Sequence, residues 1–220
     1  MNVSLVSITQ PFSGPDNAED IIAYCARVSN PENQKNTETA PKLLKFLIKY
    51  GHWSPFEMVD MAVEIKTSRA IAAQILRHRS FSFQEFSQRY SEIETLEKLE
   101  LRKQAAKNRQ SSSELYKGSL VLADVREHLG RGISLYKTLI KEGVAKECAR
   151  MILPLTTQTT MYMKGNVRSW IHYINLRTEE NTQKEHRDIA NAIKNIFIKQ
   201  FPNVSEALEW THYQWSKKEL

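Results

Sequence analysis

The sequence predicts an α+β fold in a single domain spanning residues 1–220, on three observations. Apolar residues alternate with period two over Met58–Lys66, and β-branched residues crowd Thr156–Met163, as half-buried strands require. Four longer stretches repeat their apolar residues with helical spacing instead: 16–29, 39–50, 166–176 and 180–201. No internal repeat and no low-complexity linker interrupts the chain, so one mixed core is expected.

Taken in order, Val3, Leu5, Val6 and Ile8 read as an opening strand. Ile21, Ile22, Cys25 and Val28 mark a first helix, with Asp16 or Asn17 available as its N-cap. Residues 30–36 read as loop. Thr39 caps a second helix, with Pro41 in its first turn and Gly51 as its stop. In the strand 58–66, Val59, Met61, Val63 and Ile65 share one face and Asp60, Glu64 and Lys66 the other. Thr67 or Ser68 then caps a helix from Arg69 to about His78, and Phe81–Ser91 returns to period two. The charged run Glu92–Arg109 reads as a solvated helix or loop. A helix from about Ser113 to Leu139 follows, its continuity questioned by Gly130 and Gly132, then a short helix ending before Pro154. Trp210, His212, Tyr213 and Trp215 close the chain as an aromatic packing segment.

Composition narrows the function classes. Hydrophobic residues are 41% of the chain and charged residues 25%, too apolar for a chain disordered throughout. Apolar runs such as Met151–Leu155 fall far short of the roughly 20 residues of a membrane-spanning helix, and no basic region precedes an apolar core at the N-terminus. Cys25 and Cys148 are too few for a disulfide framework, both are expected in the core, and a reducing cytoplasmic location is the default. No His/Cys cluster has metal-ligand spacing, so no metal is expected. The net charge of +6 and a pI near 9.2 suit nucleic acid, and suit small anionic substrates equally well.

The densest polar cluster is Gln74, Arg77, His78 and Arg79, followed by Phe81–Tyr90. Two guanidiniums flanking an imidazole at a helix end resemble an anion clamp. Period two beyond it puts Glu85, Ser87 and Arg89 on one strand face, an acid, a hydroxyl and a cation for a phosphorylated ligand. Taken alone, the same residues are better explained by a helix C-terminus that favours cations and an exposed strand face. Ser87 has no histidine beside it to serve as base, so it reads as a hydrogen-bond donor rather than a nucleophile. His186-Arg187-Asp188 mimics a kinase catalytic-loop tripeptide but lies within a helical pattern, with no glycine-rich loop.

Arg77-His78-Arg79, seven residues and then Ser87, continuing Gln88-Arg89-Tyr90, resembles the signature of the flavin-dependent thymidylate synthases. Gly51–Glu57 upstream and Arg150–Pro154, Asn166–Ser169, Asn175–Arg177 and Gln183–Glu185 downstream fall in that family's order, so the resemblance spans about residues 15–200. Met58 stands where the family usually has histidine, and Asn181 where some members do. The resemblance implies a small, mainly antiparallel sheet packed against several long helices. It implies reductive methylation of dUMP to dTMP, with FAD as cofactor, 5,10-methylenetetrahydrofolate as carbon donor, NADPH as reductant and no covalent enzyme nucleophile. It assigns FAD to Ser54, Arg77, His78, Arg79, Glu85, Asn166, Arg168 and His172; Arg168 and His172, four apart on a helix, can face one ligand. It assigns dUMP to Gln74, Arg77, Glu85, Ser87, Gln88, Arg89, Arg150 and Arg177, with Arg177 catalytic against the uracil. A homotetramer with active sites between subunits, without nucleic-acid or membrane partners, completes the expectation. The alternative is a basic nucleic-acid-binding module without enzymatic activity.

Overall fold

Alternation along the central strands decides where the sheet's buried face lies. The structure, a computed structural model, describes residues 1–93 and 95–214, so Trp215 lies outside the described residues. In chain order the elements are β1 (Asn2–Ile8), α1 (Ala18–Ala26), α2 (Ala40–Lys49), β2 (Asp60–Ser68), α3 (Arg69–Ile75), β3 (Ser82–Glu85), β4 (Arg102–Gln104) and β5 (Ser112–Leu115). They continue with α4 (Ser119–Lys141), α5 (Lys146–Ala149), β6 (Gln158–Asn166), α6 (Val167–Arg177), α7 (Lys184–Gln200) and α8 (Pro202–Ala207). One sheet has the strand order β1-β2-β6-β3, and β4 pairs antiparallel with β5 in a second. In β2, Met61, Val63 and Ile65 are fully buried while Asp60, Glu64 and Lys66 are not, so the period-two reading holds. The fold class is α+β, as expected. No helix among the described residues is long and apolar enough to cross a membrane.

The chain forms two compact units. The larger holds Asn2–Ile65, His78–Gln84 and the chain from Tyr162 onward. Its core is aromatic and aliphatic: Ile22, Leu44, Phe56, Trp170, Tyr173, Ile193, Phe197 and Phe201 are all solvent-free. Here α6 packs on α7 and on the 3-10 turn Ser54–Met58, while α8 packs on α2 and α7. Asn17 caps α1 by accepting from the Asp20 amide at 2.9 Å. The buried Glu19 carboxylate accepts from the Val204 amide (2.6 Å) and Asn203 Nδ2 (2.7 Å), tying α1 to the start of α8, and burial pushes its carboxyl pKa up. α7 begins at Lys184 rather than Glu180 and ends at Gln200, within one residue of the expected Phe201, and a separate α8 follows because Pro202 cannot donate to a continuing helix.

The smaller unit holds Met1, Lys66–Arg77 and Glu85–Met161. Ile93, Tyr136 and Ala149 form its buried cluster, packed by Ile133, Leu139, Ile140 and Leu153. Three expectations are corrected here. The run 92–109, read as solvated helix or loop, supplies β4, and Ser113 belongs to β5 rather than to a helix. Lys103 Nζ meets Glu114 at 2.8 Å and Arg102 Nε donates to Ser112 Oγ at 2.9 Å, so the hairpin is joined by side chains that one-strand periodicity does not reveal. α4 starts only at Ser119 but runs unbroken through Gly130 and Gly132, neither of which has positive φ; Gly143 does (84°) and follows its end. Finally, Cys148 is exposed rather than core, because α5 is a four-residue turn with little of its surface covered, while Cys25 is half-buried.

Candidate active site

α6 is fixed at its start by three bonds. Asn166 caps it, its Oδ1 accepting from the Ser169 amide at 2.9 Å. The Val167 amide donates to the Val59 carbonyl (2.8 Å), and the Trp170 indole donates to the Met61 carbonyl (3.0 Å). With its rotation set, Val167, Trp170, Ile171, Tyr173 and Ile174 face the core, and Arg168, Ser169, His172 and Asn175 face a cleft. The cleft holds about 710 Å³ and is completed by Trp53, Glu57 and Ser80. Arg168 forms an ion pair with Glu57 from the facing 3-10 turn. Of the residues assigned to FAD, Asn166, Arg168 and His172 line this cleft, the last two from one face of α6; Ser54 sits exposed in the facing turn, and Arg79 is exposed just before Ser80.

A second cluster gathers around Arg177, the last residue of α6. Arg177 Nε donates to His78 Nε2 at 2.9 Å, so His78 accepts there and carries its proton on Nδ1. Burial, then the Arg177 and His172 charges, depress the His78 pKa to about 4. The His78 ring stands edge-on to Tyr173 at 4.8 Å. Tyr173 Oη lies 3.1 Å from His186 Nε2, both groups solvent-free, and burial with the Arg177 charge lowers the His186 pKa to about 3. Burial likewise pushes the Tyr173 phenol well above its usual range. Two neutral imidazoles and an un-ionised phenol thus surround one guanidinium.

The other assigned residues belong to the smaller unit. Glu85 Oε1 accepts from Arg69 Nη1 at 2.6 Å and from Thr159 Oγ1 at 2.9 Å. Here a sequence expectation fails: β3 ends at Glu85, and the amides of Tyr90 and Ser91 both donate to the Ser87 carbonyl at 3.1 Å. Glu85, Ser87 and Arg89 therefore do not share one strand face. Phe81 and Phe83 keep period two but Phe86 breaks it, and the polar residues beyond offer no buried stripe to hold a strand. Ser87 and Arg89 are exposed, Arg89 reaching Glu147 at 3.1 Å; Gln74 is half-buried and Arg77 exposed. Gln88 Nε2 and Arg150 Nε are buried without a hydrogen-bond partner among the described residues. An unpartnered buried donor is costly unless a ligand or water accepts from it.

Several participants escaped the sequence. Trp53, Glu57, Ser80, Ser169 and Asn175 line the cleft, and all but Ser80 stand inside matched blocks where they had no assigned role. Arg69 gave no signal beyond its place at a helix start. Tyr173 and His186 meet only through the packing of α6 on α7, which no local pattern encodes.

Fold and site together define an α+β protein whose cleft is lined by the Arg168–Glu57 ion pair, the His172 imidazole, the amides of Asn166 and Asn175 and the Trp53 indole, a setting for a polar ligand that carries flat rings. The chain matches the family described as "Thymidylate synthase complementing protein" over residues 7–203. It is 54% identical over 220 residues to the "Flavin-dependent thymidylate synthase" of Synechocystis sp. (strain ATCC 27184 / PCC 6803 / Kazusa), covering 96% of this chain and 100% of that one. It is 53% identical over 215 residues to the "Probable flavin-dependent thymidylate synthase" of Paramecium bursaria Chlorella virus 1, with the same coverage. The crystal structure of a UMP/dUMP methylase, PolB from Streptomyces cacaoi bound with 5-Br dUMP, has the same fold, with a TM-score of 0.81 at 23% identity over 94% of each chain. The chain belongs to the flavin-dependent thymidylate synthase family, a family of methyl-transferring enzymes. These matches leave the nucleic-acid-binding alternative without support.

Proposed function

We propose that this chain is an FAD-dependent thymidylate synthase that converts dUMP to dTMP, taking its carbon from 5,10-methylenetetrahydrofolate and its reducing equivalents from NADPH. The observation that carries the reading, beyond family membership, is the Arg177–His78 couple beside the α6 cleft. The cleft's donor set fits a flavin dinucleotide: Arg168 and His172 offer cationic and hydrogen-bonding groups to a pyrophosphate, Asn166 and Asn175 offer amides, and Trp53 offers a flat apolar face. When bound, the flavin supplies the hydride chemistry that no side chain can perform.

The remaining roles fall to the chain. Arg89 and Arg150 serve the dianionic phosphate of dUMP, Arg150 through an Nε that is buried and unpartnered in this structure, and Gln88 offers an amide donor in the same state. Glu85, held by Arg69 and Thr159, offers a fixed carboxylate with Oε2 still available to accept. Arg177 faces the uracil and stabilises negative charge developing on the ring, which makes its C5 carbon nucleophilic. Neutral His78 holds the guanidinium by its Nε, leaving the two terminal amino groups as donors toward the substrate. No covalent nucleophile is called for: Ser87 is exposed with no base bonded to its hydroxyl among the described residues, and burial raises the Cys25 thiol pKa. A homotetramer with sites between subunits completes the reading. The deciding experiment measures dTMP formation by purified protein given dUMP, methylenetetrahydrofolate and NADPH, alongside flavin absorbance. Flavin-loaded protein that forms no dTMP overturns it.

A further inference from the structure

The Arg177–His78 couple does not stand alone. Nε of Arg177 is its one bond to His78, and a ring that rotates about χ2 breaks that bond. What holds the ring is Tyr173, edge-on at 4.8 Å, with Phe81 at 6.4 Å. Tyr173 in turn is held at its far end, where Oη meets His186 Nε2 at 3.1 Å. His186 is solvent-free on α7, and its ring also lies 6.2 Å from that of His78, nearly perpendicular. A buried imidazole–phenol hydrogen bond is an expensive way to fill a core that apolar residues fill as well, since each partner must be desolvated. Its geometric consequence is directional: it anchors the one ring against which His78 packs edge-on.

We propose that the buried Tyr173–His186 pair is a positioning device that fixes the His78 ring and, through it, the aim of the Arg177 guanidinium. The proposal rests on the functional reading above and extends it to two residues that neither line the cleft nor belong to the matched signature. Tyr173 and His186 act through His78; they are positioning residues. The groups facing His78 are Arg177, His172 and Tyr173 from α6 and His186 from α7. Arg177 and burial both oppose a proton on His78, and a protonated His78 cannot accept from Arg177 Nε. Loosening the anchor lets the ring turn toward water, which weakens that opposition and brings protonation closer to neutral pH.

The test compares the flavin-loaded wild type with Tyr173→Phe, His186→Gln and the double variant Tyr173→Phe/His186→Leu. Flavin content, melting temperature, and kcat and KM for dUMP are followed from pH 5 to 8. Tyr173→Phe keeps the ring and loses only the anchor; its kcat is expected to fall roughly tenfold, more than KM rises, because displacing a reacting group by a fraction of an ångström lowers the rate steeply. Its acidic limb is expected to move up by about one pH unit. His186→Gln, which still offers Tyr173 a hydrogen-bond partner, should recover most of the rate. The double variant removes both buried polar groups, so it regains melting temperature; with a positioning role it does not regain kcat. Wild-type kcat and an unmoved acidic limb in flavin-loaded Tyr173→Phe overturn the proposal, as does a double variant that recovers rate along with stability. A wild type that binds flavin but makes no dTMP overturns the functional reading itself, a separate result read before any variant.

Discussion

At the scale of single residues the proposed chemistry turns on Arg177. As the last residue of α6 it is favoured by the helix dipole in any protein, and loss of that term alone predicts a small stability change. The functional reading predicts more. Arg177→Ala and Arg177→Lys should fold and keep flavin while dTMP formation drops about a hundredfold or more, the scale for removing a preorganised electrostatic donor. Lysine fails because a point charge cannot both bond His78 and present a planar pair of donors. NADPH-driven flavin reduction should persist, since it does not involve charge on the uracil; near-normal dTMP synthesis by folded Arg177→Ala would remove Arg177 from the catalytic list. Ser87→Ala tests the opposite case. It should weaken dUMP binding by roughly 1.5–3 kcal/mol, one hydrogen bond to a charged group, with turnover reduced but present. Complete inactivity with normal flavin and dUMP binding would restore Ser87 as a nucleophile. The histidines make a pH prediction. His78 and His186 have folded-state pKa values of about 4 and about 3, below the ordinary 6.5, so the unfolded chain takes up protons first as pH falls. Their contribution to stability is complete above about pH 6.5 and is lost as pH falls toward 4 and then 3. Thermal melts should be flat in this respect at neutral pH and fall progressively below it; an undiminished melting temperature at pH 5 would contradict the buried neutral pair.

Elements show where local sequence suffices and where it does not. The alternation of β2, the Asn17 and Ser68 caps, and the i,i+4 placement of Arg168 and His172 all rest on contacts within a few residues, and each was legible; the Asn166 cap rests on one too but was not singled out. The turn at Ser87, the β4–β5 hairpin and the separate α8 were not, because each is decided by a distant partner: the Thr160 carbonyl that takes the last ladder bond at Phe86, the cross-hairpin Lys103–Glu114 pair, and Glu19 at the start of α8. The site divides the same way. Arg77, Arg79, Arg89, Arg150, Arg168 and Arg177 stand in the signature or the matched blocks, whereas Arg69 does not, and the Tyr173–His186 pair exists only once α6 meets α7. Gly165 shows an element-scale constraint that links β6 to the site. A Cβ there would lie 2.5 Å from the Phe81 ring, which itself packs 4.6 Å from Trp170 and 6.4 Å from His78. Gly165→Ala should therefore destabilise the chain by about 1–3 kcal/mol, the range for overpacking, and lower flavin retention by displacing the start of α6. Chemical denaturation with parallel flavin absorbance measures both; an unchanged midpoint would show that the Phe81 ring has room to move.

For the molecule as a whole, the question is what a single chain leaves unfinished. The FAD residues assigned by resemblance fall into separate sets: Asn166, Arg168 and His172 line one open cleft, whereas Ser54, Arg77 and Arg79 are exposed side chains outside its lining. Exposed arginines bind a flexible dinucleotide weakly when nothing excludes water from the other side, because screening and side-chain entropy erode each contact. A second surface that covers the ligand restores the low-dielectric setting in which such contacts hold. Flavin affinity is therefore expected to depend on subunit association, and by mass action each should stabilise the other. Leu120 and Met151 are 81% and 79% exposed in the single chain, so Leu120→Glu and Met151→Glu should cost the folded chain little and would oppose any subunit contact that covers them. Sedimentation combined with flavin absorbance over a dilution series reads the linkage directly. Flavin should leave as the oligomer dissociates, earlier in the charged variants than in the wild type. A monomer, variant or diluted, that keeps flavin with unchanged affinity would show that one chain suffices to enclose it.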